Sequence, residues 1–315
     1  MSDVPSITLY ACGGTGINMA RRLLKSEPSL KDVVTIVRLD SSDSNVVEGE
    51  ALQKIVPDNV AAGAGKVRGA IATDAQQYIA NASQKMLQPS DINIVLFSMS
   101  GGTGSVVAPF LIQKLANQGK RVVAFALSGH DSQLDIDNAI GTIKSLDKVC
   151  DACNAYLPIQ LFDNYFGREI VNVTFTHRLS ILIMMLTQET RELDVSDRIN
   201  WLNGGKTSGA APGLKPMHVL AGNRDENETS GEIWFGVDNQ IVDAVLDIGI
   251  DNEADMSQPA HVSAGAGIKS RARYSGVFIK SLTPKLGIIG VDMGSLVDYF
   301  SSRKDSYDAH DLLVL

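Results

Sequence analysis

Ser98-Met99-Ser100-Gly101-Gly102-Thr103-Gly104-Ser105 is the stretch on which the reading of this chain turns. Ahead of it, Ile92-Asn93-Ile94-Val95-Leu96-Phe97 is a short apolar run that predicts a buried strand. Behind it, Val106 to Leu115 predicts a helix. Strand, glycines with small hydroxyls, then helix is the layout of a phosphate cradle. Glycines let backbone N–H groups approach phosphate oxygens, and a helix N-terminus adds unpaired donors and partial positive charge. Thr103 and Ser105 offer hydroxyl donors. Pro109 stands early in the helix, where a missing N–H does least harm. A plain tight turn would explain one such loop. The tetrapeptide Gly-Gly-Thr-Gly also occurs at Gly13 to Gly16, between a predicted strand at 6–11 and a predicted helix at 17–25. Two such loops suggest one anion held from two sides.

Composition narrows the class. A chain of 315 residues can bury a substantial core and suggests one large or two modest domains. Its 44% apolar and 20% charged residues are those of a globular soluble protein. No apolar run is long enough to span a membrane, and the N-terminus lacks a basic region followed by an apolar stretch, so a cytoplasmic protein without a membrane partner is expected. A net charge of −8 argues against direct nucleic-acid binding. The three cysteines make no disulfide framework, and Cys150-Asp-Ala-Cys153 reads as two thiols on a helix. Zinc needs about four ligands. The five histidines are scattered, so no metal ligands are expected from the protein.

In chain order, Val33 to Leu39 predicts a second strand ending at Asp40-Ser41-Ser42-Asp43. Strand, glycine loop, helix, strand and acid also open a dinucleotide-binding fold, which makes an NAD-dependent oxidoreductase the rival reading. That fingerprint is incomplete, because Met19 stands where its third glycine belongs. Residues 60–69, with Gly63 and Gly65, form a small-residue loop that either closes over a phosphate with Lys66 and Arg68 as charge partners or is a flexible connector. Helix 73–87 with Thr73 as N-cap, strand 121–127, helix 133–151 and strand 157–162 follow. Asp135 and Asp137 suit the first turn of that long helix, by the helix dipole. Residues 168–188 are apolar on most faces and predict a helix buried between two halves of the molecule. Gly205-Lys206-Thr207 is no P-loop, since Asn200 replaces the required glycine. Beyond it, strands are expected at 217–221, 233–237, 274–280 and 286–291, with helices near 239–247 and 295–302 and a polar stretch at 250–270. The end, 305–315, is acidic and then apolar, suited either to its own subunit or to a neighbour.

Together these residues resemble the tubulin/FtsZ superfamily. Ser100-Gly-Gly-Thr-Gly-Ser105 looks like its signature loop, Ala11 to Asn18 like its first nucleotide loop, and Leu193-Asp194-Val-Ser-Asp197 like the catalytic loop that ends its central helix. The short length and the tail look like the bacteriophage tubulins. The resemblance implies an α/β fold with a mostly parallel Rossmann-like nucleotide-binding sheet, a central helix and a smaller α+β C-terminal domain. The corresponding divisions are a GTP-binding domain at 1–167, the core helix at 168–190, an activation domain at 191–300 and the tail at 301–315. It further implies GTP/GDP and Mg²⁺ as ligands, GTP hydrolysis, and head-to-tail polymerisation with the hydrolysis site completed by the next subunit. Such filaments would form a spindle positioning phage DNA or capsids in the host cytoplasm. Carried over by position, Gly13, Gly14, Thr15, Gly16, Asn18, Asp40, Ser41, Gly63, Gly65, Gly101, Gly102, Thr103, Gly104, Ser105 and Asn172 would hold the nucleotide. Asn164 is the alternative contact to the base. Asp194 and Asp197 would polarise the attacking water. Ser100 stands in place of the signature's first glycine, and Glu192 where bacterial members usually carry Asn. A non-hydrolysing structural protein of the same fold is the remaining alternative.

Overall fold

Parallel strands covered on both faces must be apolar almost throughout. Strands β1 (Ile7–Cys12) and β4 (Ile92–Ser98) are buried at every position, and β5 (Arg121–Ser128) at all but its first. The structure is a computed structural model and describes residues 5–45, 47–56, 63–129, 131–164, 168–187, 212–221, 244–249 and 277–283. Within these, β2 (Val34–Asp40), β3 (Gln53–Lys54), β6 (Tyr156–Asp163) and β7 (Gly213–Ala221) join the first three in a parallel sheet ordered β3-β2-β1-β4-β5-β6-β7. Strands β8 (Ala244–Gly249) and β9 (Val277–Thr283) extend the sheet antiparallel, in the order β7-β9-β8.

Strand side chains alternate between faces, and two cores result. Tyr10, Leu39, Val95 and Phe97 pack with α2 (Ala72–Asn81), α4 (Gly104–Asn117) and α5 (Gln133–Cys153). Leu9, Ile94, Leu96 and Phe125 pack on the other face with α1 (Gly13–Ser26) and α6 (Arg168–Thr187). The chain leaves β1 toward β2 on one side and returns to β4 on the other. Cys12 consequently lies between Leu39 and Phe97 in register. The order of the strands reverses here, and the crevice outside the carboxyl ends of β1 and β4 is where such sheets bind ligands.

Several sequence expectations change. The glycines at 13–16 are the first turn of α1, not a loop before it, because the helix starts directly on the sheet. The single helix expected at 73–87 is two, α2 and α3 (Gln84–Leu87), since Ser83 caps a new turn by accepting from the Met86 N–H. Thr73 lies inside α2, and the cap position is Ile71. Of the helix expected near 239–247, the described residues, from Ala244 on, belong instead to strand β8, paired residue by residue with β9, and 239–243 lie outside the described residues. The strand expected at 217–221 begins at Gly213, and its first residues pair with β6, so the parallel sheet runs on into the region assigned to a second domain.

Helix α6 is buried at Val171, Phe175, Leu179, Leu182, Ile183 and Leu186, with Phe125, Phe162 and Phe175 stacked at 4.7–6.0 Å between ring centroids. It is not buried all round. Ile170 and Val173 are 65% and 58% exposed, because only one side of its first two turns, with Val171 and Phe175, meets the core, and Val173 lines the crevice. The expectations at 188–200, 233–237, 250–270, 286–291, 295–302 and 305–315 lie outside the described residues.

Candidate functional site

A cavity of about 1150 Å³ lies over the carboxyl ends of β1, β4 and β5. Thr15 and Gly101 line it, and behind them two helix starts are pressed together. Gly13 has φ +70°, and a Cβ on it would stand 2.8 Å from the Gly104 nitrogen. A Cβ on Gly104 would stand 2.8 Å from the Cys12 carbonyl oxygen, and one on Gly16 would overlap the Leu96 carbonyl. These glycines thus serve close backbone packing, which brings the N-termini of α1 and α4 to one spot. Neither helix has a side-chain cap or an acid in its first turn. By contrast, α5 has a Ser132 cap and Asp135. Unneutralised first-turn N–H groups carry partial positive charge, and two sets of them converge here. An anion fits that floor.

The sequence-identified residues divide by position. Thr15, Asn18, Gly101 and Asn172 line the cavity, together with Asn164 and Lys66. Gly14 faces Asn45, whose Nδ2 would be 2.5 Å from a Cβ there, and Gly102 faces Ala64 at the same distance. Asp40, Ser41, Thr103 and Ser105 are buried behind the floor. The Ser41 and Thr103 hydroxyls bond each other at 2.6 Å, and Ser105 donates to the Gly102 carbonyl. All three hydroxyls already have protein partners, so they shape the loop from behind. Gly63 and Gly65 have φ of +96° and +54°, and bend residues 63–66 back against Gly102. Asp194 and Asp197 lie outside the described residues.

Buried carboxylates need donors. Asp40 accepts from the Ser41 N–H at 2.8 Å and from Asn45 at 3.3 Å, yet burial still pushes its carboxyl above the ordinary range. Burial, then Asp40, pushes the Cys12 thiol up, so this cysteine is an inert core residue. On the cavity wall, the Asn18 carbonyl accepts from Arg21 at 2.9 Å, which leaves its amide N–H groups for a ligand. Arg21 is fixed in turn by Glu50 (2.8 Å) and the Asn45 carbonyl (2.6 Å).

Glu50, held also by Arg38 at 3.3 Å, is kept below the ordinary carboxylate value, first by its hydrogen bond from Arg21. A lowered folded pKa stabilises the fold above the unfolded value of 4.5. That contribution is lost as pH falls through the folded value. Glu50→Gln is expected to cost about 1–3 kcal/mol at pH 7. The difference from the parent chain should shrink as pH drops below the unfolded value. Urea titrations at several pH values check this, and a pH-independent difference would refute it.

At the far wall, the Asn164 Oδ1 is buried and has no partner among the described residues. A guanine edge carries N–H donors, and an orphaned acceptor fits one. Asn172 stands near it on α6 and donates to Glu169, which Arg22 holds bidentately at 2.8 and 2.9 Å. Sequence reasoning missed Asn45, Ser98 and Asn138. The Ser98 hydroxyl accepts the Ser100 and Gly101 N–H groups at 3.2 Å each, and Asn138 donates to the Lys66 and Ser100 carbonyls. Lone polar residues in a strand end or mid-helix carry no sequence signal of such a role. Ser100 donates to the Gly129 carbonyl at 3.0 Å and accepts from its N–H at 2.8 Å, so its hydroxyl ties two loops where glycine could not.

Residues 6–162 match the family described as Tubulin/FtsZ family, GTPase domain. The chain belongs to the tubulin/FtsZ family. It is 28% identical over 221 residues to the phage tubulin-like protein of Pseudomonas phage PhiPA3, covering 69% of this chain and 67% of that one. The phage tubulin-like protein of Pseudomonas phage phiKZ is 27% identical over 219 residues, covering 67% of each. Among solved structures, the protofilament of TubZ from Bacteriophage PhiKZ superposes with a TM-score of 0.74 at 21% identity, covering 97% of this chain and 92% of that one. The phage tubulin PhuZ with GDP superposes at 0.72 and 19% identity, covering 98% and 93%. These structures share the fold. For a tubulin/FtsZ-family chain, Met19 at the third-glycine position is a core residue of α1, and the oxidoreductase reading falls away.

Proposed function

We propose that this tubulin/FtsZ-family chain binds GTP, hydrolyses it, and polymerises head to tail into filaments whose contacts complete the hydrolysis site. The observation that carries the reading is the convergence of two uncapped helix N-termini under a cavity whose far wall holds an orphaned acceptor. Backbone N–H groups of 13–16 and 102–104 would hold the phosphates from below, with Thr15 and Gly101 beside them. Asn18, and Asn172 or Asn164, would hold ribose and base. Gly63 and Gly65 would let residues 63–66 cover the terminal phosphate, and Asp40, Ser41, Thr103 and Ser105 would brace the floor. Among the described residues no cluster of three or more His, Cys, Asp or Glu could hold a metal ion. Mg²⁺ would therefore be carried on the phosphate oxygens.

Phosphoryl transfer depends on positioning and charge stabilisation more than on covalent chemistry. The reaction also needs a group to orient the attacking water. Asp194 and Asp197, supplied by the next subunit, would fill that role. Hydrolysis would then wait for assembly. The relatives solved as a TubZ protofilament and a PhuZ201 filament support self-association here. A phage spindle that positions DNA or capsids in the host cytoplasm is the matching cellular role.

Turnover per subunit, measured against protein concentration with sedimentation in parallel, tests the shared site. Turnover and pelleting should appear together above one threshold. Constant turnover per subunit with nothing in the pellet would mean that one chain holds a complete site.

A further inference from the structure

Among the described residues, Lys66 is the one cavity-lining residue other than glycine with a positive φ, +63°. Holding a side-chain residue there costs about 1–3 kcal/mol, so its surroundings must impose it. They do so from three sides. Asn138 on α5 donates to the Lys66 carbonyl at 2.8 Å. The Val67 N–H closes a turn on the Ala64 carbonyl at 2.8 Å. The backbone of Lys66 lies against Gly102, where a Cβ would come within 3.1 Å. The lysine stem thus starts on the floor built by the N-terminus of α4. Its ammonium is turned onto the carboxylate of Asp135, at 2.8 and 3.1 Å from the two oxygens.

The two partners are unlike. Asp135 is buried, and its side chain is 3% exposed. It sits in the first turn of α5, where the helix dipole favours a carboxylate even without a cation beside it. Lys66 has half its side chain in the cavity, 52% exposed, on a flexible stem with three donors. The aspartate therefore still has the N-terminus of α5 as a partner if the lysine leaves, and the lysine needs only side-chain rotation to leave.

Resting on the nucleotide reading above, we propose that Lys66 discriminates nucleoside triphosphate from diphosphate by exchanging Asp135 for the terminal phosphate. A diphosphate leaves the ion pair in place. A third phosphate adds negative charge over the same floor and draws the ammonium away. Because the backbone of Lys66 is fixed to Gly102 and α5, the exchange moves the side chain and alters the outer face of residues 63–68. The Lys66–Asp135 pair sets the threshold, since it competes with the phosphate for the same ammonium.

The test is equilibrium binding of fluorescent N-methylanthraniloyl GDP and of the corresponding β,γ-imido GTP analogue, at a protein concentration where nothing pellets. In the parent chain the triphosphate analogue should bind more tightly. Lys66→Gln should cut that preference by about tenfold while leaving diphosphate affinity within about twofold. Asp135→Asn should widen the preference, because the competitor has lost its charge. Lys66→Arg should retain it. An unchanged preference in Lys66→Gln, or an equal loss for both nucleotides, would make Lys66 a structural tie and overturn the proposal. If the parent chain binds neither nucleotide, the nucleotide reading itself fails and this inference fails with it.

Discussion

Gly16→Ala is expected to destabilise the fold by at least about 2 kcal/mol and to lower its melting temperature by several degrees. The added methyl would overlap the Leu96 carbonyl oxygen, and that oxygen belongs to a backbone locked on both sides. Leu96 sits in β4, paired with Ala11 of β1 on one side and Phe125 of β5 on the other. The central strand cannot yield without breaking both ladders, so α1 must lift from the sheet. That would expose Ile17, Ala20 and Leu23, all fully buried now. Alanine's better helix propensity returns about 1 kcal/mol. Overpacking against a backbone that cannot yield costs about 3 kcal/mol or more, a large part of a native stability of roughly 5–15 kcal/mol. Gly69→Ala is the control: nothing lies within 4 Å of a Cβ there. It should change stability by about 0.5 kcal/mol or less. Thermal and urea unfolding of both variants decides the matter. A Gly16→Ala melting point within a few degrees of the parent would show that α1 can shift, and the close helix–strand contact would lose its meaning.

On the proposed assignment of Asp197, its replacement by alanine should lower GTP turnover by about 100-fold or more, the scale of a lost general-base or water-orienting group. Nucleotide binding should be unchanged, because the described residues that line the cavity run from Thr15 to Ser180. If hydrolysis destabilises the filament, the variant's filaments should also outlast those of the parent after nucleotide is withdrawn. Stopped-flow binding, phosphate release and sedimentation measure the three quantities separately. Normal turnover would remove Asp197 from the chemistry, and weakened binding would move it into the nucleotide pocket.

How much of this was legible depends on the range of each interaction. Strands β1, β4, β5 and β6 are readable because a parallel strand buried on both faces is apolar at nearly every position, a property of a few consecutive residues. The two Gly-Gly-Thr-Gly segments are readable because close backbone approach excludes a Cβ locally. Strand β8 was misread, since Ala-Val-Leu-Asp-Ile-Gly suits a helix face as well as a strand until β9 pairs with it. Asn45, Ser98 and Asn138 carried no pattern, because the groups they satisfy come from other segments. Even Thr103 and Ser105, singled out as hydroxyls of the cradle loop, have partners that only the folded loops supply.

The sequence by itself determined a doubly covered parallel sheet with glycine-floored helix starts, and through them the family. The tertiary structure alone decided that Gly13 and Gly104 touch, so that two helix N-termini share one floor. It alone put Arg68 across Gly141, where a Cβ would collide with the guanidinium, and Lys66 on Asp135, 69 positions away in the chain. The physical reason is the same in each case. Local composition sets what a backbone can do, whereas the partner of a charge or of a missing Cβ is set by which distant segments the sheet order brings together.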